Sequence, residues 1–181
     1  NDLDGVIARA RAAGLERIVC IGLWRSPGSF GNALDLASRD PGFFAATVGI
    51  HPHECARVPE EDWARHEALA RDPRVVAVGE TGLDFHYDHS PRPVQEASFR
   101  RSLGIARAAG KPVVVHVREA DEACARVLRE EGVPPAGGLI HCFTGDAAAA
   151  RVYLDLGLLI SVAGVVTFKT AGAIREAVRI V

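Results

Sequence analysis

The chain has 181 residues, 48% of them apolar, enough for a domain with a sizeable core. No apolar run approaches the roughly 20 residues of a membrane span, and no basic, apolar leader opens the chain, so membrane insertion and export are not expected. Lys and Arg number 21 against 23 Asp and Glu, a net charge of -2, which excludes a broadly basic grip on nucleic acid; DNA contact would need local groups or metal.

Leu3, Val6, Ile7 and Ala10 fall at helical spacing, and Gly14 supplies a stop. Residues 17–22 read as a short buried strand, followed by a helix over 29–39 that Asp40, Pro41 and Gly42 end. Residues 44–50 form a nearly continuous apolar run, the pattern of a strand covered on both faces. A third helix starts after Pro59 and ends before Asp72 and Pro73, and a third strand occupies 75–79. A long loop over 81–92 then leads to a helix at 93–109, stopped by Gly110. Strand 113–117 precedes a helix with Ala120, Ala123, Cys124, Val127 and Leu128 on one face. Strand 138–142, a helix capped by Asp146 and running to Leu156, strand 158–162 and a helix over 171–181 complete the series.

Some six strands thus alternate with seven helices, which argues for a parallel sheet with helical crossovers. No GxGxxG follows the first strand, so the dinucleotide fingerprint is absent. Charged residues and histidines stand instead at the C-terminal ends of successive strands, where a (β/α)8 barrel of the TIM type builds its site. The fold expected is such an α/β barrel, with one domain over residues 1–181. The four cysteines, Cys20, Cys55, Cys124 and Cys142, lie far apart without a CxxC pair, as free thiols of a reducing, cytoplasmic protein do.

Glu80, His116 and His141 occupy matching ends of three neighbouring strands. A carboxylate with two imidazoles suits a divalent metal, and a carboxylate is able to bridge two ions about 4 Å apart. Taken singly, each has a plainer reading: Glu80 caps a turn beside Thr81, and a histidine at a strand end is a satisfied core or loop residue. Asp84 reads equally as a partner that orients a ligand or as a turn residue. His66, between Arg65 and Glu67, reads as a solvated helix face, and His86 and His89 as exposed loop residues with a lid role as the alternative. Cys142 alternates with His141 and so points toward the helices. Trp63 reads as a packing anchor, and Trp24 has the better claim to the mouth of the site.

Several motifs together resemble the TatD family of metal-dependent deoxyribonucleases: Gly49-Ile50-His51-Pro52-His53, Gly79-Glu80-Thr81-Gly82-Leu83-Asp84, Pro112 to Arg118, His141-Cys142-Phe143-Thr144-Gly145, and Ser161-Val162-Ala163-Gly164 with Thr167-Phe168-Lys169. The resemblance implies that Glu80, His116 and His141 are ligands of two divalent ions (Mg, Mn or Zn), with Glu80 also catalytic as a bridging group. It implies DNA as the substrate and gives no sign of an obligate protein partner. His51 and His53 are expected to contact substrate phosphate rather than metal, with Arg118, Thr144 and Lys169 as further phosphate contacts; for Arg118 an ion pair with Glu119 or Asp121 competes. The family's His-x-His pair on the first strand and Asp on the last have no counterpart here, so about six of eight strands are expected, with the first and last missing. A polypeptide limited to Asn1–Val181 is accordingly expected to be inactive by itself. A hydrolase of small amides, esters or lactones on the same barrel is the competing reading.

Overall fold

The computed structural model describes residues 2–181. Six strands, β1 (Ile18–Cys20), β2 (Phe44–Val48), β3 (Val75–Asp84), β4 (Val113–Arg118), β5 (Gly138–Ile140) and β6 (Leu159–Ile160), form one sheet in sequential order, every neighbouring pair parallel. Seven helices alternate with them: α1 (Leu3–Ala12), α2 (Ala33–Arg39), α3 (Glu60–Ala70), α4 (Arg92–Ala109), α5 (Asp121–Glu131), α6 (Ala147–Asp155) and α7 (Gly172–Val178). A doubly wound sheet reverses its strand order at a switch point, whereas a barrel adds each strand beside the last. The unreversed order places this chain with the barrels.

Local chemistry sets most boundaries. Asp146 caps α6 by accepting the Ala149 N–H at 2.9 Å, and Asp2 caps α1 by accepting that of Gly5 at 3.2 Å. α4 ends at Gly110, whose φ of +65° is the left-handed conformation a glycine adopts freely. All five residues of β2 are buried, as an apolar strand between two covered faces requires. Leu83, Val113, Val115 and Val117 pack with Phe99, Leu103, Cys124, Leu128 and Tyr153 in one core between the strands and α4 to α6. A second core gathers Trp24, Val48, Ile50, Trp63, Val78 and Ile105.

Four expectations need correcting. α2 begins at Ala33 rather than at 29, because 26–31 form a turn with Gly28 and Gly31 at positive φ. β3 does not end at 79 but continues to Asp84, consuming the start of the expected loop. β5 stops at Ile140; Cys142 has φ +48°, so strand alternation does not govern it, and it is half-buried. His66 is fully buried, donating from Nε2 to the Val48 carbonyl at 3.1 Å and stacking on Phe30. Trp63 is buried as expected, with the Arg101 guanidinium over its ring.

Candidate active site

The site begins with an irregularity in β3. Gly79 pairs with Val114 and Thr81 with Val115, so Glu80 is one residue too many for the ladder. Such a bulge leaves its extra residue outside the regular pairing and re-aims its side chain. The flanking glycines make this possible. Gly79 and Gly82 have φ near +140°, and a Cβ on them would lie 2.3 Å from the Val114 carbonyl oxygen and 2.1 Å from that of His116. The Gly-Glu-Thr-Gly run is therefore a strand crowded against β4, not a chain reversal.

On β4, His116 stands between two carboxylates. Its Nδ1 lies 3.0 Å from Glu80 Oε1 and its Nε2 2.9 Å from Asp84 Oδ2. Burial opposes a charge on this ring, yet the bonds and charges of Glu80 and Asp84 win and raise its pKa. In the protonated ring each nitrogen has a carboxylate to donate to. Burial likewise opposes ionisation of Glu80, but His116, and after it His51 and His141, hold its pKa below the usual value. Asp84 is fully buried and is held low against that burial by the Tyr87 N–H, His53 and His116.

The segment after β2 brings in two more imidazoles. His53 Nε2 donates to the same Asp84 Oδ2 at 2.8 Å, and His51 Nδ1 accepts the His53 backbone N–H at 3.2 Å. The His51 ring lies 4.4 Å from both the His53 and His116 rings, centroid to centroid. Burial, reinforced by the neighbouring His116, lowers the His51 pKa to about 4, so this ring is neutral at neutral pH. A cavity of about 210 Å³ opens beside the cluster, lined by Leu23, Trp24, Arg25, His51, His53 and Glu80 among others.

This donor set fits a divalent cation. His51, His53 and His116 each offer a ring nitrogen within 4.8 Å of the others, and two carboxylates flank them. Nitrogen with carboxylate oxygen is the ligand chemistry of zinc, manganese and iron, and ligands must be deprotonated to bind. The surroundings favour ionised carboxylates, and His116 would release a proton on binding a cation.

The expected residues are distributed unevenly. Glu80, His116, His51 and His53 come together. His141 is half-buried, its backbone N–H donates to the Val115 carbonyl at 2.8 Å, and it is near enough for its charge to act on Glu80. The split between metal-holding and substrate-holding histidines is not visible in the geometry, since His51 and His53 converge with His116. Arg118 forms no ion pair with Glu119 or Asp121; its buried Nε has no partner, and Glu119 engages His86 Nδ1 at 2.7 Å instead. Thr144 and Lys169 are exposed, and neither side chain bonds to the cluster. Asp84 takes both of the roles open to it: Oδ2 orients His53 and His116, while Oδ1 accepts the N–H groups of His86 and Tyr87 at 3.1 and 2.8 Å. Trp24 does line the cavity, its indole N–H bound to Asp62 at 2.7 Å. Arg25 was not singled out by sequence, where only its place just past a strand end marks it.

A family model described as TatD related DNase matches residues 1–181. The chain belongs to the TatD family. It is 38% identical over 179 residues to the uncharacterized metal-dependent hydrolase YabD of Bacillus subtilis (strain 168), covering 99% of this chain and 69% of that protein. It is 42% identical over 164 residues to the 3'-5' ssDNA/RNA exonuclease TatD of Edwardsiella piscicida, covering 91% of this chain and 62% of that protein. The crystal structure of YJJV, a TatD homolog from Escherichia coli K12, superposes with a TM-score of 0.88 at 27% identity over 98% of this chain and 68% of that one. The chain therefore spans roughly two thirds of the length of its TatD relatives, and its six strands form a curled part of their barrel. TatD membership and the histidine cluster together indicate metal binding.

Proposed function

We propose that the chain is part of one metallohydrolase domain whose site, in a protein of its relatives' full length, cleaves DNA phosphodiester bonds. The observation that carries this reading is the bulge that delivers Glu80 to His116, beside His51 and His53, in a TatD chain. The E. piscicida relative, named as an exonuclease on single-stranded DNA and RNA, supports the substrate class. Glu80, His116 and His141 would hold two divalent ions, Mg, Mn or Zn. When bound, such ions lower the pKa of water and neutralise charge on the attacking and leaving oxygens.

The chain's own residues do the rest. Asp84 fixes the orientation of the His116 and His53 rings through one shared oxygen. His51 and His53 meet the substrate phosphate from the cavity wall, His51 as a neutral donor and acceptor. Arg118, whose Nε has no partner among the described residues, and the exposed Thr144 and Lys169 contact phosphate oxygens further out. The four free cysteines accord with a cytoplasmic setting.

Glu80→Gln tests the assignment. The amide keeps the shape of the side chain but removes the charge a carboxylate ligand supplies. In a protein of the relatives' full length that carries this segment, metal-dependent release of nucleotides from DNA should fall by two orders of magnitude or more, with the circular dichroism spectrum unchanged. A near-normal rate in this variant would overturn the reading.

A further inference from the structure

The residues between β3 and α4 hold an aromatic pair that the metal chemistry does not use. The rings of Tyr87 and His89 are parallel within 7°, centroids 5.7 Å apart. His53 stands edge-on to both, at 5.5 Å from Tyr87 and 4.7 Å from His89. Tyr87 is 52% exposed, whereas the other tyrosine, Tyr153, is fully buried in a core. Its hydroxyl bonds to no described residue, so the ring is not held out by its polar end. The Arg118 guanidinium lies 5.3 Å from the Tyr87 ring centre, with its Nε unpartnered.

We propose that Tyr87 and His89 form a stacking seat for an unpaired nucleobase, with Arg118 meeting the phosphate of the same nucleotide. The proposal rests on the nuclease reading and adds to it the groups that recognise the base. A planar, exposed ring pair offers a face to any base, and stacking of this kind is tolerant of sequence. A base is free to lie on such a seat only when it is not paired within a duplex, so the seat selects single strands or frayed ends. The guanidinium beside the ring, its Nε without a partner among the described residues, supplies charged N–H donors to a phosphate. The seat is also tied to the reacting groups. Asp84 holds the Tyr87 backbone through Oδ1 and His53 with His116 through Oδ2, so a nucleotide on the seat presents its phosphate to the cluster.

The test is equilibrium binding of two short single-stranded oligonucleotides in EDTA, which stops hydrolysis. One carries 2-aminopurine at its 3' end, the other a tetrahydrofuran abasic unit there. The protein should bind the base-bearing strand about tenfold or more tightly over the abasic one and quench 2-aminopurine fluorescence. Tyr87→Ala should lose the preference and the quench, Tyr87→Phe should keep both, and His89→Ala should weaken both; melting temperatures report that each variant is folded. Equal affinity for the two strands, or a preference retained in Tyr87→Ala, would refute the seat. Failure of the nuclease reading would look different: base-dependent binding would persist while a protein of the relatives' full length showed no metal-dependent hydrolysis.

Discussion

Asp84 is the residue on which the site turns, because its two oxygens serve two structures at once. Oδ2 receives both His116 and His53, and Oδ1 closes the loop that carries His86 and Tyr87. Replacement by Asn keeps the shape but puts an amide where one shared anionic acceptor stood. His116 then loses part of what keeps it oriented, and its second nitrogen is no longer paired with a charge. Removing a partner of this kind from a metal-binding histidine typically costs 10- to 100-fold in affinity. Asp84→Asn should therefore bind Zn or Mn about 10- to 100-fold more weakly by titration calorimetry. An affinity within twofold of the parent protein would mean that Asp84 only builds the turn. The sequence left that choice open for a physical reason: an Asp two residues past Gly82 fits a turn as well as a ligand's partner, and only the approach of His53 from a distant segment decides it.

At the scale of elements, the strands and helices were readable wherever apolar periodicity set them, and unreadable where another force did. β3 shows this. Its apolar run ends near Gly79, and the following glycines resemble a turn, but they serve close approach to β4, so the strand reaches Asp84. His66 on α3 shows it again. Flanking charges suggested a solvated face, yet the imidazole bridges α3 to β2 through the Val48 carbonyl and packs on Phe30. Burial lowers its pKa to about 4 from an ordinary 6.5, so the folded protein favours the neutral ring. The sign follows from linkage: the stabilisation is complete above about pH 6.5 and is lost as pH falls toward 4, where the unfolded chain takes up a proton that the folded chain resists. A difference of that size corresponds to about 3 kcal/mol. His51 contributes in the same direction and His116 in the opposite one, so a single variant must isolate the effect. Denaturant unfolding between pH 7 and pH 4 should show a shallower loss of stability in His66→Gln, which keeps a donor for Val48. Parallel pH profiles for the two proteins would show that His66 is not the group that titrates.

Across the whole molecule, sequential order explains why the barrel was legible without its closure. Each short strand pairs with the next in the chain, so alternation alone fixes the order, and the residues at strand ends gather on one side. That is why Glu80 and His116 were found together from sequence, whereas the seat formed by Tyr87 and His89 was not: it depends on how a polar loop folds back over His53. The same order leaves two free edges among the described residues, since β1 pairs only with β2 and β6 only with β5. These edges are apolar as well as unpaired. Leu159 on β6 is 70% exposed and Val19 on β1 is 47% exposed, with Phe168 and Val162 exposed beyond β6. Unpaired backbone beside exposed apolar side chains is a template for another strand, and a lysine at an edge is the device that blocks it. A polypeptide of residues 1–181 should accordingly sediment as a concentration-dependent mixture of monomer and larger species. Covering one leucine is worth about 1.5–3 kcal/mol, so Leu159→Lys should weaken association by roughly 10- to 100-fold and shift the mixture toward monomer. Sedimentation velocity over a concentration series makes the comparison. A parent protein that stays monomeric throughout, or a variant that associates just as strongly, would show that these edges are protected by some other feature of the fold.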